Sequence, residues 1–179
     1  MRTVLMLAGA AAMLTLAACD EPKPRQAPAE PPPSVTPEPG GGTAPLAYEP
    51  ISQGLPEKPE FPGFYLDNIG PAFDPLNRPA VVPAGRSLRM DGFGFDPVAK
   101  APAKGVDLVL DGRLYGSAYG HDRPDVADFQ KVPGLVPVGF RTMIPATALT
   151  PGPHEVVVRV IAADGSGYYQ SPVIRFEAR

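Results

Sequence analysis

Along the second half of the chain, hydrophobic residues recur at every second position, and this alternation constrains the fold more than any other feature. "VDLVL" sets Val106, Leu108 and Leu110 on one face, and "HEVVVRVIA" sets Val156, Val158 and Val160 opposite Glu155 and Arg159. "VGFRTMI" turns Phe140 and Ile144 one way and Arg141 the other. "VIRFEA" separates Ile174 and Phe176 from Arg175 and Glu177. A period of two is the spacing of a strand with one buried face. No segment sustains a 3.6-residue apolar stripe, so helices do not build this core. At most, residues 124–129 make one helical turn, with Pro124 tolerated near its start.

Turn chemistry cuts the runs into short strands. Asp111–Gly112 is a two-residue hairpin signal, "DGSG" closes a second hairpin before Tyr168, and "TPGP" breaks the chain before His154. In "SLRMDGFGF" the apolar set runs Leu88, Met90 and then Phe93, Phe95, a change of phase that predicts a bulge at Gly92. Seven to eight such strands in residues 63–179 predict an all-β domain, an immunoglobulin-like antiparallel β-sandwich. A small closed barrel is the alternative. The chain has no tryptophan and one cysteine, so Phe93, Phe95, Phe140 and Phe176 are expected to supply the core bulk.

The first third reads differently. Residues 1–18, "MRTVLMLAGAAAMLTLAA", carry Arg2 and then an apolar run too short to span a bilayer comfortably, the layout of a signal peptide. "LAAC" follows directly and resembles the lipobox of bacterial lipoproteins. The resemblance implies fatty acylation of Cys19, which becomes the new N-terminus, and attachment to the membrane of the bacterial envelope. Two or three acyl chains anchor a protein stably without a spanning helix. The competing reading is an ordinary cleaved signal with a chance cysteine. In enterobacterial lipoproteins an aspartate directly after the cysteine disfavours export to the outer membrane, so by resemblance Asp20 leans the location to the inner membrane.

Residues 20–62 hold thirteen of the 26 prolines and lack apolar periodicity, so this segment is expected to be a disordered, semi-rigid tether. The domain would then begin near Gly63. Formal net charge is −3 with no basic run, which excludes a phosphate-binding stripe and a nucleic-acid role.

Chemistry concentrates in "YGHDRPDVADF", residues 119–129. Together with "SLRMDGFGFDP", "VDLVLDG" and "VGFRTMIPATALTPGPHEVVV", this stretch resembles a bacterial immunoglobulin-like module found in exported proteins and beside membrane enzymes of surface-carbohydrate metabolism. The resemblance spans roughly half the chain. It carries Arg123, Pro124, Asp125, Val126, Gly139, Phe140, Gly152 and His154 onto recurring positions, and implies that they hold shape. Arg123 is expected to fork onto a carboxylate such as Asp125 or Asp96. Asp125 is expected to cap the following turn, and Val126 with Phe129 to plug the sandwich end. His121 and Asp122 lie outside the recurring set. These four residues, His121, Asp122, Arg123 and Asp125, are the candidate structural loop and interaction surface.

Catalytic and metal readings fit the residues less well. The acids lack the alternating order of a calcium loop, and zinc would need more converging ligands than His121 and His154 offer. "GSAYG" places its serine second, outside the centre of a nucleophile elbow. No carboxylate pair is nominated for glycoside hydrolysis. No metal, cofactor or enzymatic activity is therefore expected. The sequence points to a non-catalytic interaction or scaffolding module of the envelope, with a protein or glycan partner. A carbohydrate-binding module, with Tyr115, Tyr119, Tyr168 and Tyr169 as stacking platforms, is the alternative, and a small hydrolase a third.

Overall fold

The computed structural model describes residues 48–179. The expected signal peptide, Cys19, Asp20 and the greater part of the expected tether lie outside the described residues. Two sheets face each other as a β-sandwich. The first contains β1 (Glu57–Lys58), β12 (Tyr168–Gln170), β11 (Gly152–Ile161), β13 (Ile174–Ala178), β4 (Ala80–Val82), β7 (Gly105–Leu110) and β8 (Arg113–Gly116). The second contains β3 (Ala72–Phe73), β2 (Gly63–Ile69), β5 (Leu88–Asp96), β10 (Gly139–Ile144), β9 (Ala118–His121) and β6 (Ala101–Pro102).

Eight of these strands are four residues or longer, and the remaining short segments pair at their margins. Most pairs are antiparallel, but β1–β12 and β4–β13 are parallel. Both parallel pairs join segments far apart in sequence, where no hairpin dictates direction.

The alternation works as read. Val106, Leu108, Leu110, Val156, Val158 and Val160 from the first sheet meet Leu66, Ile69, Met90, Phe140 and Ile144 from the second, all essentially without solvent contact. At about 25 cal/mol per Å² of apolar surface, this interleaved layer is the main favourable term in folding. At the β7–β8 hairpin, Asp111 (φ 47°) and Gly112 (φ 81°) both adopt the left-handed region that a two-residue turn of matching twist requires.

Two expectations are corrected. There is no phase change at Gly92: β5 pairs with β10 without interruption from Leu88 to Phe93. Gly92 and Gly94 continue the inward face of Leu88 and Met90, so Phe93 and Phe95 point outward. The interior leaves no room for more, since a Cβ on Gly92 would lie 2.2 Å from the Tyr65 carbonyl oxygen, and one on Gly94 2.7 Å from Val106. The bulge falls on the partner strand instead, where register shifts between Leu66 and Asn68 and leaves Asp67 as the extra residue.

The second correction moves the folded boundary ahead of Gly63. Ser52 is buried, Glu57 and Lys58 pair with β12, and the Tyr168 N–H donates to the Pro56 carbonyl at 3.0 Å. Proline density argued for a free tether here, but an edge segment needs few of its own donors when the Ser52 and Pro56 carbonyls and the N–H groups of Ile51, Ser52 and Leu55 find partners.

Candidate functional site

The loop quoted above runs from the end of β9 into a short helix, α1 (Pro124–Gln130), and a 3-10 turn (Pro133–Leu135). Pro124 occupies the first turn of α1, where its missing N–H is no loss. Lys131 ends the helix in the left-handed region (φ 56°), and its N–H returns to the carbonyls of Ala127 and Asp128. The helix lies on the outer face of the second sheet. Val126, Ala127, Leu135 and Val138 cover Phe95 and form a second, smaller apolar cluster against Phe93.

From that cluster outward the side chains of Phe95, Phe93 and Tyr65 stack in series, with ring centroids 6.3 Å apart at each step. The Arg123 guanidinium extends the stack, its Cζ lying 5.1 Å from the Phe93 centroid. Each of its three nitrogens donates. Nε and Nη2 donate to the two oxygens of Asp125 at 2.9 and 2.8 Å, and Nη1 donates to Asp67 Oδ2 at 2.6 Å. The Arg123 backbone N–H donates to the Val136 carbonyl at 2.7 Å. One residue thus ties the start of α1 to the bulge of β2, the face of β5 and the turn after the helix.

The electrostatics follow from position. Hydrogen bonding to Arg123 holds the exposed Asp125 carboxyl below its usual range. The Asp125 bond, strengthened by the Asp67 charge, raises the guanidinium further. Burial outweighs the Arg123 charge at Asp67 and pushes that carboxyl up. A guanidinium with all three nitrogens donating and one face covered by an aromatic ring holds position; it does not transfer protons.

Of the expected partners for Arg123, Asp125 is the one used, and Asp67 joins it unforeseen. Asp96 serves elsewhere. It is 4% exposed at the end of β5 and accepts from the N–H groups of Val98, Ala99 and Ala163 and from the Tyr169 hydroxyl. Asp125 does not cap α1: Arg123 holds the N-cap position and makes no side-chain cap bond. Phe129 does not plug the sandwich. It is 83% exposed, about 110° round the helix, at ~100° per residue, from the middle of the face that buries Val126 and Ala127.

His121 and Asp122 are exposed and, with Asp67, Asp91, Arg89, Arg123 and Arg141, line an open groove of about 310 Å³ on the outer face of the second sheet. Asp91 at its centre accepts from Arg89 Nε at 2.7 Å and Arg141 Nε at 2.9 Å. Among the described residues, no three His, Cys, Asp or Glu side chains converge on a point that could hold a metal ion. The two histidines belong to different sheets.

His154 is the strongest polar feature that the alternation did not flag. It is 4% exposed, stacks on Phe176 with centroids 5.2 Å apart, and directs Nδ1 at Asp111 Oδ2 (2.6 Å) and Nε2 at the Thr150 carbonyl (2.7 Å). Both partners are acceptors, so the doubly protonated ring satisfies both. Burial opposes that charge, but the bonds to Asp111 and Thr150 outweigh it and raise the imidazole above its ordinary value. Asp111 also accepts the Glu155 N–H at 2.9 Å, closing the hairpin turn onto β11. The D-G signal located the turn; nothing in the spacing linked it to His154.

The tyrosines are largely taken up by the fold. Tyr169 is buried, Tyr168 lies under the Arg159 guanidinium at 4.2 Å, and the Tyr119 hydroxyl donates to the Gly94 carbonyl and accepts from Ala103. Burial raises the hydroxyls of Tyr119 and Tyr169 to about 12. Tyr115 is half-buried beneath Arg113, whose Cζ is 5.4 Å from its ring.

Compared with known proteins, the chain matches no family model, no curated protein and no solved structure.

Proposed function

We propose that this chain is a lipid-anchored protein of the bacterial envelope, acylated at Cys19, whose β-sandwich is a non-catalytic interaction or scaffolding domain linked to surface-polysaccharide assembly. The anchor rests on the lipobox-like "LAAC" directly after an apolar signal run. The observation that carries the non-catalytic reading is the engagement of Arg123. The one loop rich in ionisable groups commits its guanidinium to Asp67, Asp125 and Phe93 and so braces a corner.

What the domain offers a partner is its outer strand faces, where Arg89–Asp91–Arg141 and Arg175–Glu155 pair across neighbouring strands. A protein partner fits this better than a glycan, because Tyr119, Tyr168 and Tyr169 are occupied within the fold and form no open stacking platform.

The anchor is tested by fatty-acid labelling in a bacterial host. Label is expected on the wild-type chain and lost in Cys19→Ala; label that persists in the variant overturns the anchor. The interaction role is tested by crosslinking in live cells followed by mass spectrometry. A reproducible envelope protein, lost when residues on one outer face are replaced, is expected; crosslinks confined to glycan, or none above background, defeat the protein-partner reading.

A further inference from the structure

Residues 48–58 lie across the outer face of the first sheet, and that face is shaped to receive them. Asp107 belongs to the outward set of β7, between the inward Val106 and Leu108, yet it is 1% exposed. The strap covers it: one carboxylate oxygen, Oδ2, accepts the Ile51 N–H at 2.8 Å and the Ser52 N–H at 2.6 Å. Three glycines clear the path. A Cβ on Gly116 would lie 2.4 Å from the Tyr48 carbonyl oxygen, one on Gly105 2.6 Å from the Ile51 side chain, and one on Gly167 2.7 Å from the Pro56 carbonyl oxygen. Beyond Asp107 the strap joins the sheet through β1 and the Tyr168-to-Pro56 hydrogen bond.

The seat therefore reads peptide backbone, through a carboxylate for paired N–H groups and a strand edge for carbonyls. It holds the strap lightly. Tyr48 and Ile51 remain 44% and 45% exposed, so the strap buries little apolar surface, and segments held by few bonds open below the free energy of global unfolding.

We propose that this face is a binding seat for an extended peptide, that its ligand is the chain's own residues 48–58, and that the strap is a releasable clasp setting how far the domain stands from its attachment point. The attachment point itself rests on the anchor reading above. Release frees residues 48–62, which add at most about 50 Å of reach at ~3.3–3.6 Å per residue. Pro59 and Pro62 frame the hinge between β1 and β2.

Single-molecule stretching of the full mature chain, held at its N-terminal end and at Arg179, tests the clasp. The wild type is expected to show a small reversible extension, below about 50 Å, at lower force than unfolding of the sandwich. Asp107→Ala removes the acceptor for both N–H groups and is expected to abolish the small event while leaving the main one in place. Gly116→Val keeps the Asp107 carboxylate but, from the position directly opposite it on β8, wedges the strap off through the Tyr48 and Glu49 carbonyls, and is expected to do the same. A single all-or-none event in the wild type overturns the proposal, as does a small event unchanged in both variants. Failure of both variants to fold also overturns it, because the strap would then be part of the cooperative core. The measurement does not use the acyl group, so the clasp and the Cys19 anchor fail independently.

Discussion

Arg123 reaches the one residue of β2 that is out of register: its Nη1 donates at 2.6 Å to Asp67, the extra residue of the bulge. A regular strand would have placed Asp67 and Asn68 on alternate faces; here both lie outside, between the inward Leu66 and Ile69. The bulge turns Asp67 toward α1, and the helix corner is pinned to the sheet through one guanidinium.

The corner should therefore depend unequally on its members. Arg123→Ala strips a bidentate pair, a second carboxylate and an aromatic face from a side chain that is 22% exposed. Breaking a fully buried pair costs ~3–5 kcal/mol; partly exposed, this one should cost about 2 kcal/mol and lower Tm by on the order of 5–10 °C. Asp125→Ala should cost less than about 1 kcal/mol, since its carboxylate is 63% exposed and solvent replaces the pair. His121→Ala should leave Tm unchanged. Thermal melts of the three variants check the order; a destabilised His121→Ala beside a normal Arg123→Ala would reverse the assignment of the loop.

The His154–Asp111 contact predicts a fall in stability on the alkaline side. The imidazole is raised in the folded state, so its contribution is complete below the unfolded value near 6.5 and is lost as pH rises through the folded value. Chemical denaturation between pH 6 and 9 should show declining stability in the wild type and a flatter profile in His154→Phe. Equal slopes in the two proteins would mean that the ring is not protonated in the fold.

Asp96 predicts the opposite slope in acid. Burial pushes its carboxyl up, but the N–H groups of Ala99 and Ala163 and the Tyr169 hydroxyl outweigh burial and hold it below the usual range. Its contribution is present above the unfolded value near 3.9 and is lost as pH falls through the lower folded value. Tyr169→Phe, which removes one donor from a buried carboxylate, should cost about 1 kcal/mol and weaken this acid dependence. Urea midpoints at pH 6 and pH 3 for both proteins give the comparison, and an unchanged pair of midpoints would remove Asp96 from the account.

Gly92 predicts a steric effect without a charge. Gly92→Ala drives a methyl into the Tyr65 carbonyl oxygen and the Phe140 ring, at 2.2 and 2.8 Å before relaxation. Overpacking of this kind costs ~1–3 kcal/mol, and here the backbone contact puts the expected loss at the upper end. Gly134→Ala, where a Cβ meets nothing within 4 Å, is the control and should be close to neutral.

The strands were legible in the sequence because burial of one face writes itself as alternation: Val106 to Leu110 and Val156 to Val160 need only their own spacing to declare a side. The Asp111–Gly112 turn was legible for a similar reason, since its backbone angles restrict which residues fit. Arg123 with Asp125 was within reach because a two-residue separation lets the fork close locally. The roles of Asp67 and Asp107 and the pairing of His154 with Asp111 were not, because each joins residues 43 to 56 positions apart. Phe93 and Phe95 show the same limit from the apolar side. Their spacing looked like a change of phase, and only the packing of Val126 and Leu135 above them reveals a second buried surface. Local sequence determined which residues form strands and turns, through dihedral preference and period. The tertiary fold decided which outward-facing groups are buried, because burial on an outer face depends on whatever distant segment crosses it.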